Sequence, residues 1–134
     1  MTISFNADRS TLTRHLRTAL DVADRKSTMP SLACVTLTVS GGVLTIAATD
    51  LTVSMLATVQ VIAASEGVAL VDAKGLHEIV ANLPGASVSI TGDAHHGVAI
   101  KAGRVAYKLV GLNAKDAPKQ LVGRIDEDEY AEIN

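Results

Sequence analysis

The chain has 134 residues, 48% of them hydrophobic and 19% charged, with a formal net charge of −2. That length suits one domain, the apolar content excludes disorder as a description of the whole, and no apolar run reaches the ~18–20 residues a helix needs to span a bilayer. Aromatic content is 2%, namely Phe5, Tyr107 and Tyr130 with no Trp, so the core falls to Val, Leu, Ile and Ala, and single-stranded nucleic-acid binding, which uses aromatic stacking, is disfavoured.

Residues 2–6 alternate and read as a short strand. Asn6 or Asp8 can cap a helix running to about Asp24. Leu12, Leu16, Ala19, Leu20 and Ala23 fall on one face of it, and Arg14, Arg17, Asp21 and Arg25 on the other. Pro30 forbids continuation. Residues 33–39 and 43–48 form a hairpin around Ser40-Gly41-Gly42, 51–61 alternates as a third strand, and 63–67 reads as a loop. The pattern then returns. Residues 67–71 are a strand, Asp72 caps a helix over 73–82 with Leu76, Ile79, Val80 and Leu83 inward, and strands follow at 87–91, 98–102 and 105–110. The chain therefore reads strand–helix–three strands twice, in halves of about 1–62 and 67–112 within one domain, 1–112. This is an α+β class: a duplicated β-α-β-β-β with two helices packed on antiparallel sheets. Residues 113–134, with the acidic run Asp126-Glu127-Asp128-Glu129, read as a linker and, from Tyr130 on, the opening strand of a second domain.

Chemistry-bearing residues are sparse. His95-His96 invites a metal reading, but adjacent residues point apart and no partner ligands sit at the right spacing, so a hairpin tip is expected. His15 and His77 read as solvated. Cys34 reads as a buried small hydrophobe; as a lone cysteine it fits a reducing cytosol. The start MTISFNADRS has no basic-then-apolar leader, and a cytoplasmic location is expected. Ser31, Ser40 and Ser54 lie in no nucleophile elbow, and there is no phosphate loop. No enzyme, metal or cofactor is expected. Arg14, Arg17, Arg25, Lys26 and Lys74 lie on helix faces away from the core or just after the first helix. They read either as a solvated face or as a phosphate-tracking surface that reads no bases.

Arg25-Lys26-Ser27-Thr28-Met29-Pro30-Ser31-Leu32 resembles the segment that follows the first helix in bacterial sliding clamps, the beta subunits of DNA polymerase III. Gly42-Val43-Leu44-Thr45-Ile46-Ala47-Ala48-Thr49-Asp50-Leu51 resembles a clamp hairpin. Val71-Asp72-Ala73-Lys74 and Ile79-Val80-Ala81-Asn82-Leu83-Pro84 resemble the second helix and its end, Val105-Ala106-Tyr107-Lys108-Leu109 the final strand, and residues 113–118 the tail. Each motif is weak alone, but the ordered series is specific. Three departures stand out: Ala117 where an aromatic is usual, Ser31 where Ile or Val is, and Asp21 and Asp24 diluting the basic face.

The resemblance implies a DNA-clamp domain, the first of three in a subunit, with helices lining a ring around duplex DNA. Polymerase and clamp loader would be partners only where the later domains are supplied. It also implies that the final strand pairs across a subunit boundary. Tyr107 and Leu109 then match the family's apolar interface pair, and Arg104 and Lys108 meet acidic groups on another clamp domain or copy. Against this, Tyr107 and Leu109 read equally as facing their own core. The alternative function is a stand-alone clamp-like module that caps or inhibits a clamp through its edge strand without encircling DNA.

Overall fold

A computed structural model of the chain describes residues 3–23, 30–50, 53–93 and 95–113. Strand β1 (Ser4–Asp8) leads directly into helix α1 (Arg9–Val22). A 3-10 turn, Pro30–Ala33, precedes β2 (Cys34–Ser40) and β3 (Val43–Thr49), which are followed by β4 (Ser54–Gln60) and β5 (Ile62–Ser65). The second half holds β6 (Gly67–Asp72), α2 (Ala73–Asn82), β7 (Ser87–Gly92), β8 (Gly97–Ala102) and β9 (Val105–Val110).

Both strand-to-helix junctions use the same device. Asp8 ends β1, and its carboxylate accepts the Thr11 N–H at 3.0 Å and the Thr11 hydroxyl at 2.8 Å. Asp72 ends β6 and accepts the Gly75 N–H at 2.7 Å. Each satisfies a donor that the first helical turn leaves orphaned. Helix α1 then buries Leu12, Leu16 and Ala19, and α2 buries Ala73, Leu76 and Val80. These are the helix-period stripes, and each buried Leu contributes roughly 1.5–3 kcal/mol. Asn82 ends α2, with Leu83 already extended before Pro84. Gly41 and Gly42, at φ +59 and +76, close the β2–β3 hairpin in the doubly left-handed conformation that matches strand twist.

The two halves do not form a sheet each. The five-stranded sheet runs β5-β1-β7-β8-β9 and the four-stranded sheet β4-β3-β2-β6, so each half lends its first strand to the other. β1 pairs with β7 from Ser4↔Thr91 to Asp8↔Ser87, and β6 pairs with β2 from Gly67↔Val39 to Asp72↔Cys34. The helices pack on each other and on both sheets, enclosing an aliphatic core in which Phe5 is the single aromatic among the described residues.

The repeat extends to backbone detail. Asn6 pairs with Ile62, and Leu70 forms a bridge with Leu112; each lies two residues before its capping aspartate. The preceding residues match as well: Val61 N–H donates to Gly42 O at 3.0 Å and Gly111 N–H to His96 O at 2.7 Å.

Several sequence expectations shift. Residues 63–67, expected as a loop, hold all but the first residue of β5, which pairs antiparallel with β1. This edge strand is held by backbone bonds, and Ala63 and Ala64 carry no strong alternation to announce it. The first strand lies two residues later than read, because Asp8 both ends it and caps α1. Strand β4 starts at Ser54 rather than 51, and α1 ends at Val22. Asp24, Arg25, Lys26 and the tail 114–134 lie outside the described residues.

Candidate nucleic-acid interface and open sheet edge

The α1 N-terminus is tied to the end of α2. The Arg9 backbone N–H donates to Ala86 O at 2.9 Å, and the Arg9 side chain reaches Gly85 O at 2.8 Å and Ala81 O at 3.4 Å. The helices are therefore antiparallel, and the end of α1 lies toward the start of α2, where Lys74 sits. Arg14 and Arg17 are exposed on α1, with Asp21 beside them. Lys74 is exposed on α2, its Nζ 4.0 Å from Glu78 Oε1. Such an exposed pair on one helix is worth about 0.3–0.5 kcal/mol, so Lys74 can exchange its partner for another anion. The structure thus brings Arg14, Arg17 and Lys74 onto one helix pair, on positions turned away from the core; Arg25 and Lys26 lie outside the described residues. His15 and His77 are half-buried rather than solvated. Burial, with the Arg14 charge second, pushes the His15 imidazole below its ordinary pKa.

Arg9 is the residue that the sequence reading missed. Its targets lie 72 and 76 positions away, so no local pattern marks it.

Strand β9 ends the five-stranded sheet and pairs only with β8 among the described residues. Val105, Tyr107 and Leu109 stand opposite Ala102, Ile100 and Val98, which are buried core residues. Period-two alternation puts all six on the core-facing side. Leu109 packs against the core, close to Gly75 of α2, but Tyr107 remains 49% exposed and Val105 36% exposed. The strand carries core-type side chains past the point where the helices cover them. Arg104 is exposed in the preceding turn. Lys108 faces the other way and has an acidic partner in its own chain, its Nζ 3.5 Å from Asp93 Oδ2. Asp93 also accepts the His95 and Gly97 N–H groups at 2.8 and 2.9 Å. Those backbone bonds, and then Lys108, hold its carboxyl below the usual range.

His95 and His96 are exposed at this tip. His96 adopts φ +67 and serves the fold through its carbonyl. Cys34 is buried, and burial followed by the Asp72 charge pushes its thiol up to about 11. No helix among the described residues is long and apolar enough to cross a membrane.

Comparison with known proteins gives one consistent answer. The profile of the family described as "DNA polymerase III beta subunit, N-terminal domain" matches residues 3–121. A beta sliding clamp of Pseudomonas putida is 34% identical over 116 residues, covering 85% of this chain and 31% of the relative. The chain spans about a third of the length of the curated relatives it matches. A sliding clamp from Pseudomonas aeruginosa bound to griselimycin superposes with a TM-score of 0.82 at 30% identity, covering 88% of this chain and 32% of that one. A DNA polymerase sliding clamp from Caulobacter crescentus does so with a TM-score of 0.81 at 29% identity, covering 87% and 32%.

Proposed function

The chain belongs to the DNA polymerase III beta subunit family, as a domain of its N-terminal type, and from that premise we propose that it is the DNA-tracking part of a replication processivity factor. It acts without enzymatic chemistry, in the cytoplasm, as one segment of a ring around duplex DNA. The carrying observation is the helix pair, which sets Arg14, Arg17 and Lys74 on positions turned away from the core. Arg25 and Lys26 extend the same basic set in sequence. Such residues neutralise phosphates without reading bases, and a weakly charged face suits sliding. Duplex DNA and other clamp domains or copies are the partners; polymerase and clamp loader join through later domains.

Solution mass by light scattering, with and without duplex DNA, tests this. Ring-sized particles that retain DNA at low salt support it. A monomer that never associates with DNA or with a clamp sinks it.

The uncovered Val105 and Tyr107 favour a second reading, an interaction module that caps a clamp through β9 with Arg104, Tyr107, Lys108 and Leu109 at the contact. Titration into a full-length clamp separates the two: a capping module opens or blocks the ring instead of completing it.

A further inference from the structure

Arg9 is the first residue of α1 and stands against the last turn of α2, at Ala81, and the loop that follows it, at Gly85 and Ala86. Its Nε donates to Gly85 O at 2.8 Å, its Nη1 to Ala81 O at 3.4 Å and its backbone N–H to Ala86 O at 2.9 Å. The side chain is half-buried. The final carbonyls of a helix have no partner within it, and a cation there also meets the negative end of the helix dipole. The planar fork of arginine is what lets one side chain serve two carbonyls. Gly85 holds φ +87 in the gripped segment, a conformation that a residue with a Cβ rarely takes. The equivalent position in the second half, the first residue of α2, is Ala73, which is fully buried and has no side-chain donor. The side-chain grip therefore belongs to one half of the repeat.

Resting on the clamp reading above, we propose that Arg9 is a positioning residue for the DNA-facing helices and makes no phosphate contact itself. It fixes how α2, carrying Lys74, sits against α1, carrying Arg14 and Arg17. The spacing of those three cations is what must match the spacing of phosphates along a duplex, and the Arg9 grip sets it from the far end of the pair. Two of the five N–H donors of the Arg9 guanidinium are committed to carbonyls of its own chain.

The test uses the full chain and a plain duplex, with affinity measured across a range of salt. Arg9→Met lowers affinity about three- to tenfold, the scale of one ordinary hydrogen bond, and leaves the salt slope as in the parent. Arg14→Met lowers the slope by about 1, as a lost phosphate contact must. Arg9→Lys, able to serve one carbonyl, recovers part of the affinity. If Arg9→Met flattens the slope as Arg14→Met does, Arg9 is a phosphate contact and the proposal is overturned. If the parent chain binds no duplex at all, the DNA reading fails separately, and amide exchange judges the grip. The last turn of α2 then exchanges about tenfold faster in Arg9→Met and is restored toward the parent by Arg9→Lys. Unchanged exchange, or faster exchange with unchanged affinity in a chain that does bind DNA, also overturns the proposal.

Discussion

Asp8 and Asp72 hold equivalent places: each is the last residue of a strand lent to the other half's sheet, and each caps the helix that brings the chain home. Asp8 pairs with Ser87 in β7, and Asp72 with Cys34 in β2. The same two residues thus mark where a strand stops, where a helix begins and where the halves interlock.

Removing a cap exposes that dependence. Asp72→Ala should cost about 1 kcal/mol, the usual worth of an N-cap side chain, read as a lower urea midpoint at an unchanged slope. Asp72→Asn should recover most of it, because the amide oxygen still accepts the Gly75 N–H. Equal losses in both variants would mean that the carboxylate does something other than cap.

Acid should loosen the fold through two carboxylates. Asp8 is held below its ordinary value of 3.8 by the Thr11 backbone N–H and then the Thr11 hydroxyl; Asp93 is held there by Gly97 and His95, with Lys108 adding. Unfolding restores the ordinary value, so the unfolded chain takes up these protons first as pH falls. The stability they give is complete above about pH 5 and is lost as pH drops through the folded values. Urea midpoints measured between about pH 5 and 3 should fall for the parent and fall less steeply for Asp93→Asn. Parallel curves would contradict the assignment.

Cys34 should be inert. With its thiol at about 11 and its side chain buried, reaction with an alkylating reagent at neutral pH should proceed only through opening. The rate should rise steeply in urea. Fast labelling of the folded chain at neutral pH would show that the thiol is accessible after all.

The open edge should be separable from the fold. Tyr107 is half-exposed on β9, so Tyr107→Lys should shift stability by less than about 1 kcal/mol while weakening association with copies or clamp domains. Sedimentation of parent and variant at matched concentrations checks it. Association that survives in a folded Tyr107→Lys chain places the contact elsewhere.

Local chemistry made much of this protein legible. Asp72 before Ala73-Lys74-Gly75-Leu76 marks a helix start, the Leu12–Leu16–Ala19 spacing marks a buried stripe, and Gly41-Gly42 marks a tight hairpin. Each rests on contacts within a few residues. The edge strand β5 was invisible because two alanines carry no side-chain alternation; its place comes from backbone bonds to β1.

On its own, the sequence determined both helices, every strand but β5, their order, their duplication and the basic residues on the helices, because strand and helix periods are written in neighbours two to four positions apart. Tertiary structure alone decided that the halves exchange their first strands. A strand's pleat pattern states which face is buried and says nothing about which partner lies beside it. It decided too that Arg9 grips α2 and that Tyr107, though on the core-facing side of β9, stays half-exposed. Both outcomes depend on where α2 comes to rest over the sheets, and that is set by packing between residues far apart in the chain.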